Sequence, residues 1–268
     1  MLSSAAAMFL RSCCLSVLSL CLLFFSPSQA GPQSNDVAPS SEEEVAAFHY
    51  PPNVRSEYEL EVCSSQFSAC NIVHRRYWLP LLVERLCQCP DRTPCPYAWT
   101  EDTENPFVIW LNNHSQFRFC SSSPMQTLTQ CNSTEVAAQI ITRTIQKEEK
   151  WIDGPTVKKE VRKSTQFNCF CPKLRHWSFF SERNFQKDDN MEQIHHLDFT
   201  CVPLDRCRTG QFCGNIRRDL YSTYYHCTCP PDHYCITRRM RIHQVQEMHF
   251  NGTAFKGFCH WRSTAQGN

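Results

Sequence analysis

An all-β protein built from three small disulfide-rich modules is the fold class that this sequence predicts, and three observations predict it. The exported part of the chain carries an even number of cysteines, a Cys-x-Cys-Pro motif recurs three times at nearly constant spacing, and strand-forming segments run into that motif. The 268 residues hold 19 cysteines against 7 glycines and 16 prolines. Such a composition belongs to small scaffolds held by covalent links rather than to one large core.

The first element is a secretory signal over residues 1–30. Arg11 precedes a short apolar run from Cys13 to Phe25, and Ser28-Gln29-Ala30 places small residues where a signal peptidase cleaves. The run is shorter than the roughly 20 apolar residues that span a bilayer, and no second such run follows, so the expectation is a secreted, extracellular chain with no membrane span. Removing the signal takes Cys13, Cys14 and Cys21 with it and leaves 16 of the 19 cysteines, enough for eight disulfides. The remaining basic and acidic side chains balance, which excludes the single-sign field of a nucleic-acid binder. Sequons at Asn113, Asn132 and Asn251 are candidate glycosylation sites and fit the same setting. Residues 31–57 follow as an acidic leader with Glu42-Glu43-Glu44 at its centre; with little to bury, it is expected to be disordered.

The repeats come next. Cys87-Gln88-Cys89-Pro90, Cys169-Phe170-Cys171-Pro172 and Cys227-Thr228-Cys229-Pro230 are each followed by a closing cysteine, Cys120, Cys201 or Cys259, 33, 32 and 32 residues after the first cysteine of the motif. These copies define modules at residues 58–125, 126–203 and 204–268. The first and third carry a further cysteine eight residues into the motif, Cys95 and Cys235, and two upstream, Cys63 with Cys70 and Cys207 with Cys213. The middle copy has Trp177 at that eighth position and Cys131 alone upstream. A disulfide is gained or lost as a pair, so Cys95 and Cys235 are each expected to bond one of their own upstream cysteines, with Trp177 filling the vacated space. In the middle module a Cys169 to Cys171 link would close a strained ring, and two alternatives among Cys131, Cys169, Cys171 and Cys201 stay open. With six, four and six cysteines no thiol is left for an interchain bond, and a monomer is expected.

Strands are expected from Asp219 to His226, from Met240 to Phe250 as a half-buried strand with apolar residues alternating at Met240, Ile242 and again near Val245, and on both sides of Asp153-Gly154-Pro155. The last two would form a long charged hairpin from Ile140 to Trp151 and Thr156 to Phe167, against a competing helix over residues 135–149. At this module size a core is thin, and each disulfide contributes about 3 to 4 kcal/mol in the chain-entropy model. Three separately braced units are therefore expected; a single continuous core would contradict that reading.

With its signal, acidic leader, three Cys-x-Cys-Pro modules and the segment from Asp219 to Pro230, the chain resembles the giant-lens (Argos) family over residues 58–261. The resemblance implies a three-finger-like architecture and a secreted antagonist that binds an EGF-like growth factor and so lowers EGF receptor signalling. Interfaces of this kind are anchored by aromatic and arginine side chains. Candidates are Tyr77 and Trp78 in the first module, and Tyr221, Tyr224, Tyr225, Arg238, Arg239 and Arg241 in the third. Two basic groups, Lys158 to Lys163 and Arg238 to Arg241, make heparan sulfate a further candidate partner. No catalytic motif is present, His195-His196 with Asp198 lacks a spaced third ligand, and neither metal nor cofactor is expected. The alternative function is a secreted protease inhibitor presenting the loop from Pro90 to Pro96; a secreted ligand that activates a receptor directly is a third.

Overall fold

The computed structural model describes residues 45–261 apart from 103–104, 106–107, 122–126, 152–153, 173–174, 188–190 and 239–240. The signal and most of the leader lie outside the described residues. The elements described are strands and short 3-10 helices, arranged in four sheets: one main sheet per module, all sharing one plan, and a two-stranded parallel pair in the third module.

In the first module, β1 (Ala46–His49), β2 (Ala69–His74), β3 (Leu81–Arg85), β4 (Ile109–Asn112) and β5 (Ser115–Phe119) form a sheet in the order β1-β3-β2-β5-β4. The second holds β6 (Ala138–Trp151), β7 (Gly154–Phe167), β8 (Arg175–Lys187) and β9 (Glu192–Pro203) in the order β7-β6-β9-β8. The third has a short parallel pair, β10 (Asp205–Arg206) with β13 (Cys227–Thr228), beside β11 (Phe212–Arg217), β12 (Thr223–Tyr225), β14 (His233–Ile236), β15 (Ile242–Glu247) and β16 (Phe250–Trp261). Its main sheet runs β12-β11-β16-β14, with β15 also on β16. In every module a hairpin ahead of the Cys-x-Cys-Pro motif pairs, through its first strand, with the last strand of the module: β2 with β5, β6 with β9, β11 with β16.

Eight disulfides staple this plan, which places folding of the chain in an oxidising compartment. The first cysteine of each motif bonds upstream, as Cys63–Cys87, Cys131–Cys169 and Cys207–Cys227. The second bonds the closing cysteine, as Cys89–Cys120, Cys171–Cys201 and Cys229–Cys259. The extra pairs are Cys70–Cys95 and Cys213–Cys235. Trp177 occupies the position this pair leaves empty in the middle module: it lies opposite Cys201 across the β8–β9 ladder, as Cys235 lies opposite Cys259 across β14–β16. Its ring is buried against Phe167, centroids 5.6 Å apart, and its indole N–H donates to the Trp110 carbonyl at 2.9 Å.

Several expectations need correction. The leader is not disordered to residue 57: Ala46–His49 pairs in parallel with Leu81–Glu84, and Phe48 meets Tyr97 edge-on at 5.4 Å. The long charged segment is the β6–β7 hairpin and not a helix. The strand expected from Asp219 shrinks to Thr223–Tyr225 because Asp219 turns back to bind Arg217, through Nε at 2.9 Å and Nη2 at 2.6 Å. On β15 the alternation is present with the other phase: Val245 is half-buried and Ile242 is exposed. Met240 lies outside the described residues.

The largest correction concerns the core. Cysteine clusters brace the first and third modules separately, but one apolar cluster draws on all three. Phe167 of β7 sits at its centre, 4.9 Å from Phe117, 5.5 Å from Phe119 and 5.6 Å from Trp177, ring centroid to centroid. Tyr224 and Met248 join it from the third module. Aromatic burial on this scale favours one assembled body, since a module standing alone would leave these rings in water. Hydrogen bonds from main-chain amides also tie the modules: the Phe167 amide donates to the Phe67 carbonyl at 3.1 Å, and the Thr223 amide to the Asn113 side-chain Oδ1 at 2.7 Å.

Candidate protein-binding surface

The first hairpin of each module ends in a tip. In module one the tip spans Arg75 to Pro80 between β2, buried along its whole length, and β3. With the strands committed to the core, the turn has to carry its apolar side chains outward. Trp78 is 97 % exposed, beside Tyr77 and Leu79, which are also exposed. Trp78 sits at φ 55°, a left-handed conformation that is unfavourable for a bulky side chain and that recurs at the equivalent tip of module three, where Tyr221 has φ 53°. Both tips thus present an aromatic ring from a strained turn.

The module-one tip is braced from below. The Tyr77 ring meets His114 edge-on at 5.1 Å and packs on Trp78 at 5.7 Å, while its hydroxyl lies 3.3 Å from His114 Nε2. Burial and the neighbouring Arg75 push the His114 pKa down, so this imidazole is neutral near pH 7. Arg75 pairs with Glu101, Arg76 Nε donates to the Pro80 carbonyl at 2.8 Å, and the Arg75 amide donates to the His114 carbonyl at 2.9 Å. The turn is therefore held in place before any partner arrives, which reduces the ordering cost of binding.

Beside the tip lies a cleft of about 440 Å³ to which all three modules contribute, among them Trp110, Asn113, Phe170, His176, Thr223 and Tyr225. Burial raises the Tyr225 pKa, and Tyr77 is close enough to add to that rise, which links cleft and tip. Burial followed by repulsion from His226 lowers that of His176.

The expected anchors separate on inspection. Tyr77, Trp78, Tyr221, Arg238 and Arg241 are exposed, and Arg239 lies outside the described residues. Tyr225 is half-buried at the cleft. Tyr224 is a core residue: it is 5 % exposed, its hydroxyl donates to the Met248 carbonyl at 2.8 Å, and burial raises its pKa. Adjacent residues on a strand face opposite ways, and a run of three tyrosines does not say which one is inward. Asn132 and Asn251 are exposed, whereas Asn113 is half-buried and engaged with Thr223. Sequence reasoning missed Leu79, His114 and the cleft; the apolar Tyr77-Trp78-Leu79 run was the available signal for the first.

Elsewhere, His195 pairs with Glu182 at 2.7 Å, and buried Asp198 accepts from Arg183, Ser181 and Gln139. Burial alone would raise the Asp198 pKa, but these hydrogen bonds hold it below the usual range, as befits a satisfied structural carboxylate. Among the described residues, the groups spaced like metal ligands are built on sulfurs already joined in disulfides.

No family model matches the chain. Among curated proteins it is similar to kappa-scoloptoxin(11)-Ss1a of Scolopendra dehaani, 26 % identical over 156 residues, which covers 57 % of this chain and 64 % of the toxin. The chain thus spans less than two thirds of that relative's length. Among solved structures it is similar to unliganded Argos, with 18 % identity, a TM-score of 0.46, and coverage of 81 % of this chain and 99 % of that one.

Proposed function

We propose that the chain is secreted and acts by binding alone, capturing an EGF-like growth factor and keeping it from its receptor. The observation that carries the binding role is the exposed Tyr77-Trp78-Leu79 tip, braced by His114 beside a cleft built by all three modules. An exposed aromatic cluster of this kind is what a protein interface uses as its anchor. The identity of the partner is supported by the sequence resemblance carried by the three Cys-x-Cys-Pro repeats. EGF-like domains are small and disulfide-bound, and a tip plus a concave cleft supplies more contact area than one finger alone.

The protease-inhibitor reading has less support. Pro90–Arg92 is a 3-10 turn with Asp91 at φ 54° and Arg92 at φ 58°, whereas a protease cleft takes an extended strand. A pull-down with a purified EGF-like domain beside a protease panel tests the choice: stoichiometric capture without inhibition is expected, and inhibition of a protease without capture overturns it.

A further inference from the structure

β7 is an edge of the second sheet, and part of that edge is already occupied. Ser68 forms an isolated antiparallel bridge with Gln166, and the Phe167 amide reaches outward to Phe67. Because β-strand geometry repeats every two residues, the outward amides and carbonyls upstream are those of Thr165, Lys163, Val161, Lys159 and Val157. There the module-one chain departs from the edge and a groove of about 730 Å³ opens, with β7 as one wall and segments from Pro51 to Arg55 and Glu59 to Glu61 as the other. The charged part of the lining is mainly basic: Arg55, Lys147, Lys158, Lys159, Arg162 and Lys163 stand with Glu59, Glu61 and Glu160. Two of the three carboxylates are drawn into ion pairs, Arg162 with Glu61 at 2.9 Å and with Glu160 at 2.6 Å, and Lys147 with Glu160 at 2.6 Å, while Glu59 accepts from the Arg55 amide at 2.8 Å. Desolvation lowers the Lys163 pKa and Glu84 only partly offsets it, so an anion in the groove would stabilise that ammonium.

We propose that this groove binds an extended acidic peptide segment of a partner protein, which adds to the stretch of the β7 edge that no described residue pairs, as an antiparallel strand continuing the Phe67–Ser68 pairing. Lys159, Val161 and Lys163 share one face of β7. The added strand therefore carries acidic residues at two positions four apart, opposite the lysines, with an apolar residue midway opposite Val161. Lysine on an open edge repels ordinary apolar strands and so guards against aggregation, while admitting a strand of opposite charge. An acidic peptide is favoured over a sulfated glycan because only a peptide can pair the outward amides and carbonyls of the edge. The inference goes beyond the capture of an EGF-like domain and stands independently of it.

The test uses the intact secreted chain and fluorescence anisotropy with four labelled probes: a peptide alternating valine with aspartate and glutamate, its amide counterpart with asparagine and glutamine, the acidic peptide N-methylated at alternate residues, and a heparin oligosaccharide. Binding of the acidic peptide is expected, weakened at least about tenfold by amide substitution, by N-methylation, or by Lys159→Glu with Lys163→Gln in the protein. The N-methylated probe needs no variant, so a folding defect in the lysine variant leaves the test intact. Equal binding of the N-methylated and unmethylated probes overturns the strand pairing. A heparin oligosaccharide that binds while the acidic peptide does not overturns the peptide as occupant.

Discussion

At Trp78 the side chain and the fold are nearly independent. It is 97 % exposed, so Trp78→Ala leaves stability within about 0.5 kcal/mol of the parent. The same change is expected to weaken capture of an EGF-like domain by roughly thirtyfold or more, the range of an anchor worth about 2 kcal/mol or above. Titration of the variant against the domain, with a parallel thermal melt, checks both halves; unchanged capture would remove the tip from the interface. Trp177 behaves in the opposite way. It fills the space of a missing disulfide and bridges to Trp110, so Trp177→Ala is expected to cost about 3 to 5 kcal/mol by denaturant titration. Trp177 was legible in the sequence because two sibling modules show what usually stands there. Tyr224 was not, because three consecutive tyrosines give no phase.

Among the elements, β11 and β16 show how little slack the sheets have. A Cβ placed on Gly214 would lie 2.2 Å from the Tyr224 carbonyl oxygen, and one on Gly257 would lie 2.7 Å from Cys235 Sγ. The first obstacle is backbone, which cannot turn aside, so Gly214→Ala is expected to pull β12 off β11 and expose Tyr224, seen as lost near-ultraviolet circular dichroism. The Cys70–Cys95 link closes a separation of 25 residues, and replacing both partners with alanine should cost about 3 to 4 kcal/mol in the chain-entropy model. A loss within error of zero would show that packing alone holds that loop. The repeats made one member of this pair readable, because a cysteine present in two modules and absent from the third marked Cys95, while its upstream partner, Cys63 or Cys70, was decided by the structure. The β15 face was misread since a six-residue strand with Ile242 and Val245 on opposite sides satisfies either phase.

Across the whole molecule the shared core changes what unfolding should look like. Three independent units would melt in three steps; rings from three modules around Phe167 couple them into one transition. That junction also holds His249, 2.6 Å from Thr165 Oγ1 and edge-on to Phe117. Burial pushes its pKa well below the usual 6.5, with Lys163, His74 and Arg217 adding repulsion. A histidine whose pKa is depressed on folding binds more protons unfolded, so its contribution is complete above about pH 6.5 and declines as the pH falls below it. Urea midpoints are therefore expected to drop between pH 7 and pH 5, with a smaller drop in His249→Gln. Equal drops in both would assign the loss to other groups, of which His176 is lowered by burial and by His226.

The sequence by itself determined that there are three stapled modules and how many links brace each, because cysteine number and spacing recur in every copy; which cysteines pair was decided by the structure, since spacing alone leaves several partners within reach. Which rings point outward, that the supposed leader adds a strand to the first sheet, and that the modules merge around Phe167 were decided only by tertiary structure. Those outcomes depend on which apolar faces meet across modules, and a contact between residues 117, 167 and 249 leaves no periodic trace along the chain.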